Sequence, residues 1–465
     1  MVEPQENEKK KERPSAKSIV SSIFEGGKEE VQKKSEESSL FRSSPTPIEP
    51  PQGPTQNAKT KLASLKTQAQ TWIDQAKGLV AKSISIPRKH EPIHVAYGEW
   101  MDRIEMPVGL EIGATAVRAV QLYQNSEHWH LVNYAVKPLP LETGSSSESA
   151  QVVQNTLREI FPKKMENLTV VSSFPGSTAV ARVFRMPVMS HSELKQAVTW
   201  ELQEQLAVRV DDWYFDFAPI QAASVGEGKE RLVLVSAVSK QELNTHVAML
   251  KSMGLLPIAV EAKPLPTWEL LADHPWPVNE AALLIELGAQ ISHVVIVVKG
   301  APALVHPLDF NGEMLSKVIQ RMLHFSRDEA ESFKSNIGLT QAELQTTTQT
   351  VSSENTTQKN YQAYLALRPF VDRMINEIDQ AFKYVSFRVF QSSVRSFSRV
   401  FLSGKASLLK GLRELLEERL GVPVEYIQPL EGILIDEKVF NQETLQKEAL
   451  GLATAIGLAE RRENF

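Results

Sequence analysis

Gly109-Leu110-Glu111-Ile112-Gly113-Ala114-Thr115 and Leu284-Ile285-Glu286-Leu287-Gly288-Ala289-Gln290 follow one pattern: apolar strand, acid, apolar residue, Gly, Ala, polar residue. Each copy opens a three-strand meander. The first runs over 108–112, 117–122 and 130–136, the second over 282–286, 294–298 and 303–308. A glycine in a tight strand–strand turn lets backbone N–H groups close around an anion. An acid just before it suits a divalent metal held on that anion. One such hairpin says little, because strand–Gly–strand turns are common. Two copies at the heads of two similar meanders predict a duplicated α/β fold with a ligand between its halves.

The rest of the chain fits around these hairpins. A strand from 180 opens a further unit, with a helix over 192–206, strands over 213–217 and 231–237, and a helix over 240–253. Ser192 and Glu193 favour the start of its first helix. After the second meander come helices over 312–323 and 327–335, then a Thr/Gln/Ser stretch at 340–360 that reads as a loop, and a long helix over 364–390. Phe401-Leu402-Ser403-Gly404-Lys405-Ala406, followed by a helix from 408, is a strand, a glycine turn and a helix N-terminus. Such a junction can receive a nucleoside or a phosphate, but taken alone it reads as an ordinary βα turn. A helix over 444–459 ends the pattern.

Residues 1–57 are rich in Glu, Lys, Ser and Pro and bury too little to fold, so a disordered arm is expected there. From Ala58 the spacing changes. Leu62, Leu65, Ala69, Trp72, Ala76 and Leu79 line one helical face, with Lys59, Lys66 and Lys77 beside it. This helix and a Pro-marked linker fill 58–105; its basic flank suits a membrane surface, a partner helix or packing on its own domain. The chain has 465 residues, enough for two or three packed units, and a net charge of −5 spread over both signs, which argues against nucleic acid. It has no cysteine, which removes disulfides, thiolate metal sites and cysteine nucleophiles. Its ten histidines show no metal-ligand spacing. The N-terminus lacks the apolar core of a secretion signal, and no apolar run is long enough to span a bilayer.

Taken in order and spacing, these segments resemble the PilM family, actin-like cytoplasmic proteins of type IV pilus assembly related to the division protein FtsA. The likeness covers about 106–460, through 108–122, 174–187 with Trp200-Glu201, 286–312, 367–384 and 402–433 with Arg419-Leu420-Gly421-Val422-Pro423-Val424. It implies a duplicated, two-lobed actin-like (ribonuclease H-like) α/β fold with an inserted subdomain. Residues 106–173 and 255–280 would form the first core, 174–254 the insert, 281–325 and 395–460 the second core, and 326–394 its helical companion. Nucleotide would lie between the cores.

The resemblance also assigns roles, and the chain departs from some of them. The acid of each loop is usually Asp in the family and is Glu here, at Glu111 and Glu286, the two candidate metal ligands. The extra methylene moves each carboxylate by about one C–C bond, and misplacement on the order of an ångström costs about a hundredfold in rate. Glu261 stands at the water-orienting position, and Lys405 where a second glycine follows Gly404. If that position needs a positive φ, lysine there is strained; it also stands within reach of a phosphate. Gly113, Thr115, Arg118, Gly288, Ser292 and Lys334 fall at nucleotide-contacting positions. ATP with Mg²⁺ and no cofactor both stay open.

The function implied is a scaffold of pilus assembly with a degenerate nucleotide site. It would sit in the cytoplasm, peripheral to the inner membrane, and bind the N-terminal tail of a PilN-like inner-membrane protein and other pilus assembly proteins. Phe184, Met186 and Trp200 either line the peptide groove or belong to the core. The alternatives are an active actin-like ATPase, which the two glutamates oppose, an FtsA-like division protein and a type II secretion protein. The last two normally carry a C-terminal membrane helix, and this sequence ends at Phe465 without one.

Overall fold

The computed structural model describes residues 95–461, apart from 104, 126–127, 141–145, 162–167, 175–178, 207–208, 226–229, 272–279, 335–353, 391–393 and 395. The expected arm at 1–57 and the amphipathic helix beyond it lie outside the described residues.

Strands β1 (Val108–Ile112), β2 (Ala116–Gln124) and β3 (Trp129–Pro138) form the first meander. Helix α1 (Ser146–Ile160) leads to β4 (Leu168–Ser173). An insert follows: β5 (Val180–Pro187), α2 (His191–Leu206), β6 (Trp213–Val225), β7 (Glu230–Ser239) and α3 (Lys240–Ser252), before β8 (Leu255–Glu261) and the short α4 (Leu265–Glu269). The second meander is β9 (Ala281–Leu287), β10 (Ser292–Val298) and β11 (Ala301–Leu308), followed by α5 (Gly312–Leu323), α6 (Arg327–Lys334) and α7 (Glu354–Tyr384). Then come β12 (Phe397–Ser403), α8 (Leu412–Leu420), β13 (Val424–Tyr426), β14 (Ile433–Leu434) and α9 (Gln442–Glu460).

The strand orders reveal the duplication. The first sheet runs β14-β3-β2-β1-β4-β8 and the second β11-β10-β9-β12-β13. In each, a meander is antiparallel, and its first strand then pairs in parallel with a later strand, which pairs in parallel with another. This is the duplicated α/β fold of the actin type. Both central strands are buried along their whole length. A strand covered on two faces must be almost continuously apolar. Each of them nevertheless carries one acid, Glu111 at 5% and Glu286 at 6% exposure, and that exception marks where function sits.

The insert forms a third, antiparallel sheet, β5-β7-β6. Phe184 and Met186 face α2 in a core with Leu194, Val198 and Val233. Ala181 and Val183 join the main core instead, and Arg182 donates to the Val305 carbonyl of β11 at 3.3 Å.

Three expectations need correction. Residues 354–360, expected in a loop, begin α7, which turns into a π-helical segment at Val385–Val389 before 390. The helix expected from 408 starts at Leu412, because Gly411 sits at φ +75° and a 3₁₀ turn, Lys405–Leu408, comes first. The end of the expected second core, 395–460, packs on the first sheet: β14 pairs with β3, and α9 lies on β1 and β2.

Candidate functional site

Both hairpins spend their glycine amides internally. Gly113 N–H donates to the Ala116 carbonyl at 2.9 Å, and Gly288 N–H to Ser292 Oγ at 3.1 Å. A Cβ at Gly288 would stand 2.2 Å from the Ile291 carbonyl oxygen, so this turn accepts nothing larger. Ser292 is 1% exposed and holds the turn from inside. The N-terminus of α5 is engaged here too. Gly312 N–H and Glu313 N–H donate to the carbonyls of Gly288 and Ala289, at 3.0 and 2.7 Å. Lys334 on α6 completes this side by donating to Ser316 Oγ at 2.8 Å and the Gly312 carbonyl at 3.2 Å, and by pairing with Glu331 at 2.6 Å.

The acids meet below the hairpins. Arg118 lies opposite Glu111 in the β1–β2 register, and its Nη1 stands 3.4 Å from Glu111 Oε2. Oε1 accepts from Lys263, which sits between β8 and α4. Burial pushes the Glu111 carboxyl up, but Lys263 and Arg118 outweigh it and hold it below the ordinary range. Glu286, across the lobes, goes the other way. Burial pushes it up, Lys263 and a hydrogen bond from Thr267 pull it down, and the nearby Glu111 charge adds to the rise, so it ends raised. Among the described residues Glu286 Oε2 is buried without a hydrogen-bond partner. His293 lies opposite Glu286 in the β9–β10 register; burial, with Lys263 and Arg182 nearby, pushes it down to about 4.

The third expected segment closes over this floor. A Cβ at Gly404 would come 2.3 Å from the Leu287 carbonyl, and its φ is +82°. The positive φ therefore belongs to Gly404, and Lys405 carries no strain of that kind. Lys405 runs over α9, where a Cβ at Gly451 would meet its Cε at 2.9 Å and Arg118 Nε at 3.3 Å, and it pairs with Glu448 at 2.5 Å. Its ammonium is thus engaged by α9.

The fold thus gathers Glu111, Gly113, Arg118, Glu286, Gly288, Ser292, Lys334, Gly404 and Lys405 along the facing loops of the two main sheets and the helices packed on them. Thr115 is half-buried at the first hairpin, its carbonyl accepting from Leu139 N–H at 2.8 Å. Glu261, expected to orient water, is paired with Arg461 beyond α9, both side chains under 10% exposed. Phe184 and Met186 are core, 4% and 3% exposed, and so line no open groove, whereas Trp200 is 59% exposed on α2. Lys263 and His293 were missed. The first is a lone charge between a strand end and Pro264, and the second hides in an apolar strand; neither belongs to a recognisable spacing.

A donor set for Mg²⁺ needs near-octahedral oxygens free to approach to about 2.1 Å. Both oxygens of Glu111 already face cations, and among the described residues no group of three or more His, Asp or Glu converges. The residues do not fit the metal. A cavity of about 470 Å³ opens elsewhere, between α5, Phe370 of α7 and Gln290 of the second hairpin. Among the described residues no helix is long and apolar enough to cross a membrane.

Residues 109–463 match a family described as type IV pilus assembly protein PilM. A solved PilM-PilN type IV pilus biogenesis complex aligns at 27% identity and TM-score 0.61, over 77% of this chain and 98% of that one. Ethanolamine utilization protein EutJ from Carboxydothermus hydrogenoformans aligns at 13% identity and TM-score 0.41, over 78% and 92%. MreB5 of Spiroplasma citri bound to ADP aligns at 12% and 0.40, over 74% and 98%.

Proposed function

This chain belongs to the PilM family of type IV pilus assembly proteins, and from that premise we propose that it is an actin-like adaptor binding the cytoplasmic N-terminal tail of a PilN-like inner-membrane protein. The observation that carries this reading is the likeness, at 27% identity over nearly the whole of the other chain, to a PilM solved with PilN. The protein would then lie in the cytoplasm and reach the inner membrane through that tail.

A degenerate nucleotide cleft is part of the same proposal. Glu replaces the family's Asp at both loops, and the cations expected to meet nucleotide are engaged within the protein: Arg118 with Glu111, Lys334 with Glu331, Lys405 with Glu448. The four-subdomain division is proposed with its last boundary amended, so that 433–460 count with the first core.

The test is calorimetric titration of the full-length protein with the N-terminal peptide of a PilN-like protein from the same source. Saturable 1:1 binding is expected. Trp200→Ala should weaken it about tenfold or more while leaving the melt unchanged, since exposed aromatics are common anchors and this one supports no core. No binding of the peptide by the folded protein would overturn the adaptor reading. Phe184→Ala is unsuitable as an interface probe, because emptying a buried Phe site costs about 3–5 kcal/mol of stability.

A further inference from the structure

We propose that the Lys263 ammonium is a built-in replacement for a divalent cation between the two acid loops, so that this cleft holds its charges together without metal. The inference deepens the degenerate-cleft reading and rests on it.

Lys263 is placed by a rigid base. Ala262 is 2% and Leu265 6% exposed on either side of it. The following helix packs so tightly on α9 that a Cβ at Gly457 would lie 2.0 Å from the Pro266 carbonyl. From that base the side chain, 24% exposed, reaches Glu111 Oε1. Arg118 stands at the other oxygen. Lys263 is also the largest favourable charge felt by Glu286, although no ion pair joins the two among the described residues. One loop of the first lobe therefore supplies a cation that pairs with the acid of its own lobe and acts at longer range on the acid of the other.

The charges close without an ion. Two carboxylates face one ammonium and one guanidinium, a neutral set. A divalent ion placed there would leave a double excess of positive charge in a buried site, or would force the lysine out of its pair. The longer side chain of Glu111 fits the same account: it meets a lysine that approaches from the protein floor, not an ion seated on a bound phosphate.

The probe is Mn²⁺, titrated into the full-length protein without nucleotide and followed by the EPR signal of the free ion. The unmodified protein should show no stoichiometric site below about millimolar Mn²⁺. Lys263→Met keeps the aliphatic stem and frees the acids, so it should acquire one site at least about tenfold tighter. Lys263→Arg should behave like the unmodified protein. A stoichiometric Mn²⁺ site in the unmodified protein, equal to or tighter than that of Lys263→Met, would overturn the proposal. The wild-type titration decides this even if Lys263→Met does not fold. ATP titrated in EDTA separates the two readings. Tight ATP binding with no Mn²⁺ site would overturn the degenerate-cleft reading and support the lysine, whereas a Mn²⁺ site overturns the lysine whatever ATP does.

Discussion

His246 shows how a single buried residue sets a pH limit. It is 5% exposed, its Nε2 bonded to Ser172 Oγ at 2.9 Å, and burial pushes it down from 6.5 to about 4. The unfolded chain binds a proton there at a higher pH than the folded one does. The stability it contributes is therefore full above pH 6.5 and lost as the pH falls toward 4, by about 3 kcal/mol in total. His246→Gln keeps a polar partner for Ser172 and removes the titration. Thermal melts from pH 7 downward should show a drop in Tm that is smaller by several degrees in the variant; equal drops would remove His246 from the account. The turn glycines give a second prediction at this scale. Gly288→Ala meets a backbone oxygen at 2.2 Å, whereas Gly113→Ala has its nearest neighbour at 3.0 Å. Urea melts should rank Gly288→Ala the more destabilising, by at least about 1 kcal/mol. Most of the candidate site was legible at this scale, since the repeated acid–apolar–Gly pattern pointed to Glu111, Gly113, Glu286 and Gly288. Their chemistry was not. Lys263 lies 152 residues from Glu111, and no local pattern says that it arrives there.

Among the elements, α9 is the one on which the two halves depend. Ten of its residues are buried, most of them small, from Ala449 through Ala453, Thr454 and Ala455 to Gly457 and Ala459. Small side chains allow close approach: a Cβ at Gly109 of β1 would be 2.0 Å from the Ala455 carbonyl. Three glycine-to-alanine changes should therefore separate. Gly457→Ala, facing the Pro266 carbonyl at 2.0 Å, should cost the most, about 1–3 kcal/mol or more. Gly421→Ala has nothing within 4 Å and pays only for φ +69°, about 1 kcal/mol. Gly451→Ala meets the flexible stem of Lys405 at 2.9 Å and should cost least. Melts of the three proteins test this order. Element by element, the strands were the most readable part, because buried central strands leave long apolar runs. The first turns of α7 carry no such pattern: Glu354 to Asn360 are polar, and that stretch reads as loop. The docking of β14 and α9 on the first sheet was invisible for another reason. An apolar helix face announces that it will be buried, not where.

At the scale of the whole molecule the two sheets are tied by more than the cleft. The chain leaves the second sheet after β13, adds β14 to the edge of the first, and lays α9 beneath it. Arg461 then pairs with Glu261 at the far strand. From the N-terminal side the packing begins at Tyr97 and Trp100, whose indole N–H donates to the Ile160 carbonyl at 3.0 Å and whose ring lies 5.1 Å from that of Phe161. A protein starting at residue 95 thus keeps every contact described for the core, and its melt should coincide with that of the full chain to within about two degrees. A much larger fall would mean that the preceding residues contribute to the same core. The same truncation decides how the protein reaches a membrane, because two routes are open: the PilN-like tail, and the basic-flanked apolar stripe around Leu62 to Leu79. The full chain and the truncated chain are expressed with and without the PilN-like protein, and their membrane fractions compared. If the tail is the anchor, both proteins should pellet with membranes when the partner is present and leave them when it is absent. Retention of the full chain alone in cells lacking the partner would give the anchor to the stripe, and the adaptor would then reach its partner from a surface it already occupies.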